Sequence, residues 1–208
     1  MALTSPPLLR GHLHFIGALV SPFALLALLF IADSPRSFVG AAIFGSGLIL
    51  LYATNACYHL LRWKRLRLLD HSMIFVFIAA SYTPFTLKVM GDGWGISLLS
   101  VVWGVAGVGV ALTLANRGSF RRFLMGLYFA LGWSALVSIA PLVKALPVEA
   151  FGVLVLSGLV YSVGGVVYAT RRPDPWPSVF GYHEVFHGLV MIATSLIYFV
   201  IAFYVLPY

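Results

Sequence analysis

The sequence predicts an all-α integral membrane protein, a seven-transmembrane helix bundle that forms a single domain over residues 1–208. Hydrophobic residues make up 61% of the 208 residues and charged residues only 9%, and the mean hydropathy is +1.00. A soluble domain carries about 25% charged residues. The apolar residues also come in long continuous blocks, which favours helices in lipid over a barrel of alternating strands.

Seven apolar segments have about the 20 residues that cross a hydrocarbon core as a helix. Proline and glycine clusters mark the connections between them. Pro22, Pro84 and Pro141 lie within or near the ends of segments, where we expect kinks. The predicted spans are residues 14–32, 38–61, 71–90, 94–115, 123–142, 148–170 and 180–205.

The distribution of Lys and Arg predicts a cytoplasmic N-terminus and a C-terminus outside the cell. Only Arg36, Lys88 and Lys144 of the 13 basic residues fall on the side opposite the N-terminus. The net charge of +7 is therefore explained by topology, and no nucleic-acid partner is expected. The remaining basic residues are Arg10, Arg62, Lys64, Arg65, Arg67, Arg117, Arg121, Arg122, Arg171 and Arg172.

Three histidines fall at the predicted cytoplasmic edge of apolar spans. His183 and His187 are four residues apart, so a helix places both imidazoles on one face. His59 ends the second span and offers a third imidazole. Three imidazoles are a common ligand set for zinc, with water or substrate in the fourth position. The alternative is that these residues only flank their spans at the membrane interface.

Two further polar residues fall on the same side of the membrane. Asp70 fits the first turn of the third span, and it also fits a hydrogen bond to zinc-bound water or to a ligating histidine. Asn55 lies one turn before His59, which allows either contact with the same cavity or an interhelical hydrogen bond. His12, His14 and His71 are interpreted as interfacial residues, and Cys57 as packed within the bundle.

Glu184 has two interpretations. The segment from His183 to His187 matches H-E-x-x-H, in which the glutamate is the general base of zinc proteases. Glu184 lies at the margin of the ligand face, so it could instead pair with a basic residue such as Arg172.

Four segments together resemble the hemolysin III branch of the progestin and adipoQ receptor family. They are residues 55–59 (NACYH), 69–74 (LDHSMI), 80–84 (ASYTP) and 181–187 (GYHEVFH). The resemblance implies zinc bound by His59, His183 and His187, with Asp70 near the metal's water. It also implies location in a bacterial plasma membrane. Adiponectin receptors and alkaline ceramidases share the wider superfamily, which implies hydrolysis of lipid amides such as ceramides and a role in membrane lipid homeostasis.

Two positions qualify what the resemblance implies. The family usually has serine where this chain has Asn55, and an amide cannot act as a hydroxyl. Related receptors carry other residues in place of Glu184, which argues against a protease. The sequence thus predicts a zinc-dependent hydrolase with a membrane lipid as substrate. The alternatives are a sensor or receptor with a structural zinc and a lipid ligand, or haemolysin-like activity, for which the spans offer little polar surface to line a pore.

Overall fold

The structure, a computed structural model, describes residues 7–61, 63, 66–115 and 121–208, with only the backbone of Arg121 and Arg122. Within these residues, seven helical segments are long and apolar enough to cross a membrane, which confirms the predicted fold class. The elements are α1 (His12–Ile31), α2 (Pro35–Leu61), α3 (Leu66–Lys88), α4 (Asp92–Leu114), α5 (Arg121–Trp133), a 3₁₀ segment (Ser134–Ser138), α6 (Ile139–Ala145), α7 (Val148–Thr170), α8 (Tyr182–Val200) and a π-helical segment (Ile201–Val205).

The fifth span is interrupted, which the hydropathy pattern did not predict. Its α5 and α6 are joined by the 3₁₀ segment Ser134–Ser138. Pro141 follows this segment, has no N–H for the Val137 carbonyl and would clash with it in a regular α-helix. By contrast, Pro22 and Pro84 lie inside the continuous helices α1 and α3.

Helices that follow one another in the chain pack side by side: α1 on α2, α2 on α3, α3 on α4 and α7 on α8. In addition α8 contacts α1, so the first and last spans meet. The ring of Phe44 on α2 is fully buried and lies 5.8 Å from that of Phe77 on α3 and 6.4 Å from that of Tyr198 on α8, between ring centroids. The core therefore joins the early spans to the last one.

Glycine on α4 permits one close helix contact. A Cβ added at Gly109 would lie 2.5 Å from a ring carbon of Phe75 on α3, closer than any real contact. Gly107, two residues earlier, has no neighbouring atom within 4 Å of such a Cβ. Of these two glycines, only Gly109 is needed for packing.

Large apolar side chains cover the outside of the bundle. Phe30 is 91% exposed, and Phe23 and Phe203 are also strongly exposed. A large exposed apolar surface marks contact with a membrane or another protein, and together with seven long apolar helices it agrees with the membrane assignment. Cys57 is exposed as well, so the prediction that it packs within the bundle is wrong.

A polar cluster lies between α1 and α2, at the end opposite the histidines. The Asp33 carboxylate oxygen Oδ1 lies 2.8 Å from the Ser37 hydroxyl and accepts a hydrogen bond from the Lys88 ammonium at 3.1 Å. These two contacts hold the pKa of Asp33 below its usual value.

The orientation of the bundle stays a prediction. Four of the basic residues that support it, Arg62, Lys64, Arg65 and Arg117, lie outside the described residues.

Candidate metal site

The start of α8 places two histidines on one face. Gly181 precedes the helix, and its backbone N–H donates to Glu184 Oε2 at 2.9 Å. The N–H of Tyr182 donates to Asp174 Oδ1 at 2.8 Å. Because these contacts satisfy N–H groups that the helix itself leaves unpaired, α8 begins at a fixed residue. His183 and His187 therefore lie in its first two turns on the same side.

His59, near the end of α2, completes a cluster with these two side chains. One ligand nitrogen from each of the three imidazoles lies within 4.8 Å of the others. The Nε2 atoms of His59 and His183 are 3.5 Å apart. The His187 ring centroid lies 4.4 Å from that of His183 and 5.2 Å from that of His59. The structure thus brings together the three histidines that the sequence singled out, and we call them the histidine triad.

The triad has the chemistry that a metal ion requires. His187 Nε2 is buried and has no hydrogen-bond partner among the described residues. A buried nitrogen without a partner is costly, and a bound cation would satisfy its lone pair. Three neutral imidazole nitrogens suit zinc. The triad could therefore hold a metal ion.

Asp70 lies in the second turn of α3, which follows directly after α2, and so at the same end of the bundle as His59. It is buried, at 7% exposure, although α3 begins nearby at Leu66. Its Oδ1 has no partner among the described residues, and its Oδ2 lies 3.8 Å from His71 Nδ1. The structure therefore keeps one carboxylate oxygen available, while Asp70 is not part of the ligand cluster.

Both carboxylate oxygens of Glu184 already have partners. Oε2 accepts the Gly181 N–H, and Oε1 forms an ion pair with the Arg10 guanidinium. Glu184 is 1% exposed. This placement favours the ion-pair interpretation over a general base. The partner is Arg10, from the segment before α1, and not the suggested Arg172.

Asn55 makes a hydrogen bond within its own helix, and its contact with the cavity beside His59 stays a prediction. It is buried on α2, and its Nδ2 donates to the Leu51 carbonyl of the same helix at 2.9 Å. Its hydrogen bond is therefore local to the turn that precedes His59.

His14 is a site residue that the sequence analysis missed. It was interpreted as an interfacial residue, but it is only 1% exposed, and its Nε2 lies 2.5 Å from His187 Nδ1. That interpretation is wrong for His14, because α1 turns this position toward α2 and α8. His12, two residues earlier, is exposed.

Comparison with known proteins identifies the family. Residues 4–198 match the family described as haemolysin-III related. The chain belongs to the haemolysin III-related family. This match spans nearly the whole chain, from before α1 to residue 198 within α8.

Relatives of this haemolysin III-related protein extend from bacteria to plants. Hemolysin-3 homolog of Bacillus subtilis (strain 168) is 31% identical over 198 residues, which cover 92% of this chain and 90% of that protein. Hemolysin-3 of Bacillus cereus is 29% identical over 201 residues, covering 93% and 89%. Heptahelical transmembrane protein 5 of Arabidopsis thaliana is 34% identical over 179 residues, covering 74% of this chain and 46% of the plant protein.

These relatives support assignment of the chain to the hemolysin III branch of the progestin and adipoQ receptor family. They also support its description as a multi-pass bacterial membrane protein. No solved structure matches the chain at a significant level.

Proposed function

We propose that this haemolysin III-related protein is a zinc-dependent hydrolase of membrane lipids, acting on an amide or ester bond of a ceramide-like molecule. The observation that carries the proposal is the convergence of His59, His183 and His187, with a buried His187 nitrogen that lacks a partner. Zinc in a site of three imidazoles makes hydroxide available near neutral pH and polarises a carbonyl group.

Asp70 supplies the proton transfer in this proposal. Its Oδ1 is buried and unpaired among the described residues, so it can accept a hydrogen bond from the attacking water. It takes a proton from this water and returns it to the leaving nitrogen or oxygen. One water then splits one lipid into an acid and an amine or alcohol.

In this proposal Asn55 and Glu184 stabilise the helices that carry the metal ligands. Asn55 supports the turn of α2 that leads to His59, through its bond to Leu51. Glu184 fixes the start of α8 through Gly181 and Arg10. Neither residue is needed to carry a proton.

An apolar groove supports a lipid as the substrate. It has a volume of about 300 Å³ and lies between α2, α3 and α4, lined by residues that include Leu50, Val76 and Trp103. Leu50 and Val76 lie on the same two helices as His59 and Asp70. Nine residues separate Leu50 from His59, so the groove and the triad lie on different faces of α2. An acyl chain in the groove would therefore have to pass the edge of this helix to bring its polar end to the triad.

Metal content is the first test. Elemental analysis of the detergent-purified chain should find one zinc per wild-type chain and none in His183→Ala. His12→Ala is the matched control, because His12 is an exposed histidine outside the triad. It should retain the metal. A wild-type protein that binds no metal, even after incubation with zinc, would refute the proposal.

Catalysis is tested with a panel of lipid amides and esters, including ceramides, with and without a chelator. Asp70→Asn should retain zinc and lose turnover, because the amide cannot take up the proton. If no lipid is turned over by zinc-loaded wild-type protein, the hydrolase claim fails while the metal site stands.

One observation favours a second function, a non-enzymatic sensor with a structural zinc. The triad joins α2 to α8, which are far apart in the chain. A metal there would clamp the two helices together. In this case His59→Ala should lower thermal stability strongly. Asp70→Asn should have the stability and zinc content of wild type, and neither wild type nor Asp70→Asn should turn over any lipid.

The name of the Bacillus relatives refers to haemolysis, which a liposome-leakage assay tests directly.

A further inference from the structure

We propose that His14 on α1 is a positioning residue for the metal ligand His187. Its Nε2 accepts the Nδ1 proton of His187, and this bond directs the His187 Nε2 lone pair toward the metal. The inference rests on the metal site proposed above. It adds His14, a residue outside the triad, from a third helix, α1.

The geometry of the imidazole pair supports this role. The two nitrogens are 2.5 Å apart, and the rings meet edge to face with their centroids 4.1 Å apart. Both side chains are buried. The two remaining nitrogens, His14 Nδ1 and His187 Nε2, have no partner among the described residues.

Only one arrangement of protons allows His187 to bind a metal through Nε2. A neutral imidazole carries its proton on one nitrogen and a lone pair on the other. If His14 donated the shared bond, His187 Nε2 would carry the proton and could not coordinate. If His187 donates from Nδ1, its Nε2 presents a lone pair. Hydrogen bonds to the second nitrogen of a ligating histidine commonly fix the ring in this way.

A fourth-ligand role for His14 fits the geometry less well. The nitrogens that lie within 4.8 Å of one another belong to His59, His183 and His187, without His14. The His14 ring centroid is 6.5 Å from that of His59, and its Nε2 is already bonded to His187. His14 thus lies beside His187 and reaches the triad through this histidine.

The start of α1 is held against the triad by several contacts. Gly11 has a φ of 85°, and a Cβ there would lie 2.8 Å from the His59 Cβ, so glycine is required. Arg10 pairs with Glu184 on α8. The N–H groups of Leu8 and Leu9 donate to carbonyls in the segment before α8, at 3.0 and 3.1 Å. These contacts position His14 without help from a metal.

The test compares zinc affinity in full-length protein for His14→Leu, His14→Gln and the matched control His12→Leu. Zinc is titrated against a chromophoric chelator, and Co²⁺ replaces it for visible spectroscopy. His14→Leu should bind zinc about 10–100-fold more weakly, the usual loss when such a partner is removed. It should also change the Co²⁺ absorption bands. His14→Gln should recover most of the affinity, because its amide oxygen can accept the His187 proton, and His12→Leu should match wild type.

Thermal unfolding of the zinc-free proteins separates positioning from general packing. Without metal, His14→Leu should unfold somewhat below wild type, because the buried His14–His187 bond is lost. With zinc the difference should grow, because the variant loses most of the stabilisation that zinc gives wild type. Unchanged zinc affinity and an unchanged Co²⁺ spectrum in His14→Leu would overturn the inference. So would equal losses in the Leu and Gln variants together with a matching loss of zinc-free stability. If wild type binds no metal, the proposed function fails instead.

Discussion

Replacing Glu184 tests whether the H-E-x-x-H glutamate stabilises the fold or performs chemistry. The side chain is 1% exposed and has a partner on each oxygen, Arg10 and the Gly181 N–H. In Glu184→Gln the amide oxygen can still accept the Gly181 N–H, while the charge-assisted bond to Arg10 is lost. Such a bond contributes about 1.5–3 kcal/mol. Arg10 is 24% exposed, so water limits the cost of leaving it unpaired.

Glu184→Ala also leaves the Gly181 N–H without its partner and should cost about 1–3 kcal/mol more than Glu184→Gln. A chain of this size loses about 2–4 °C of unfolding temperature per kcal/mol. We therefore expect Glu184→Gln to unfold several degrees below wild type and Glu184→Ala to unfold clearly lower again. Both should keep zinc, because His183 and His187 remain. Arg10→Gln combined with Glu184→Gln should cost less than the sum of the two single changes.

The assay is thermal unfolding in detergent, followed by intrinsic fluorescence, with the zinc content measured on each sample. Glu149→Gln is the matched control, because Glu149 is an exposed acid in the first turn of α7. It should change the unfolding temperature by less than 1–2 °C, as surface substitutions usually do, by about 0.5 kcal/mol or less. Wild-type stability in Glu184→Gln together with lost turnover would refute the ion-pair reasoning and restore the general-base interpretation.

Three other predictions concern packing, pH and orientation. Gly109→Ala should destabilise the protein by about 1–3 kcal/mol because its Cβ would meet the Phe75 ring, whereas Gly107→Ala should be neutral or stabilising in the same unfolding assay. Because folding lowers the pKa of Asp33, its stabilisation is complete above the ordinary value of about 4 and is lost as the pH falls through the lower folded value. When the pH is lowered through this range, the unfolding temperature should therefore decrease more for wild type than for Asp33→Asn. Equal decreases would contradict the lowered pKa of Asp33. A C-terminal alkaline-phosphatase fusion should be active and a C-terminal GFP fusion dark; the reverse pattern would invert the predicted orientation.

The number of spans was predictable because lipid imposes a simple physical condition. A chain in hydrocarbon must satisfy its backbone internally, so each crossing needs about 20 apolar residues in a helix. The spacing of His183 and His187 was predictable for a similar reason, since helical geometry alone puts them on one face. The position of His59 was predictable from the order of the spans. Because successive spans run in opposite directions, the end of the second span and the start of the seventh fall on the same side of the membrane.

The contacts between α1 and α8 were not predictable from local pattern. Arg10 and Glu184 are 174 residues apart, and nothing local to either residue selects the other over Arg172. The burial of His14 did leave a trace in the sequence. His14, Gly17 and Ser21 lie on one face of α1, and all three are buried. Small residues at such spacing mark helix contacts in membranes, and this face includes His14.

The membrane environment explains why polar contacts are needed between the first and last spans. In lipid, helices gain little from burying apolar surface against each other, so hydrogen bonds and close packing hold them together. Among the described residues, three such contacts join α8 to α1 or to the residue just before it. They are the Arg10–Glu184 pair, the His14–His187 bond, and the Tyr198 hydroxyl, which donates to the Ala24 carbonyl at 3.1 Å.

One of these three contacts shares an imidazole with the proposed metal site. If His187 binds zinc better while α1 is in place, then zinc must hold α1 in place by the same free energy. Removing the metal should therefore loosen α1 selectively and expose its N–H groups to hydrogen exchange, while α3 and α4 stay protected. Equal exchange in all helices with and without zinc would show that His14 and the metal act independently.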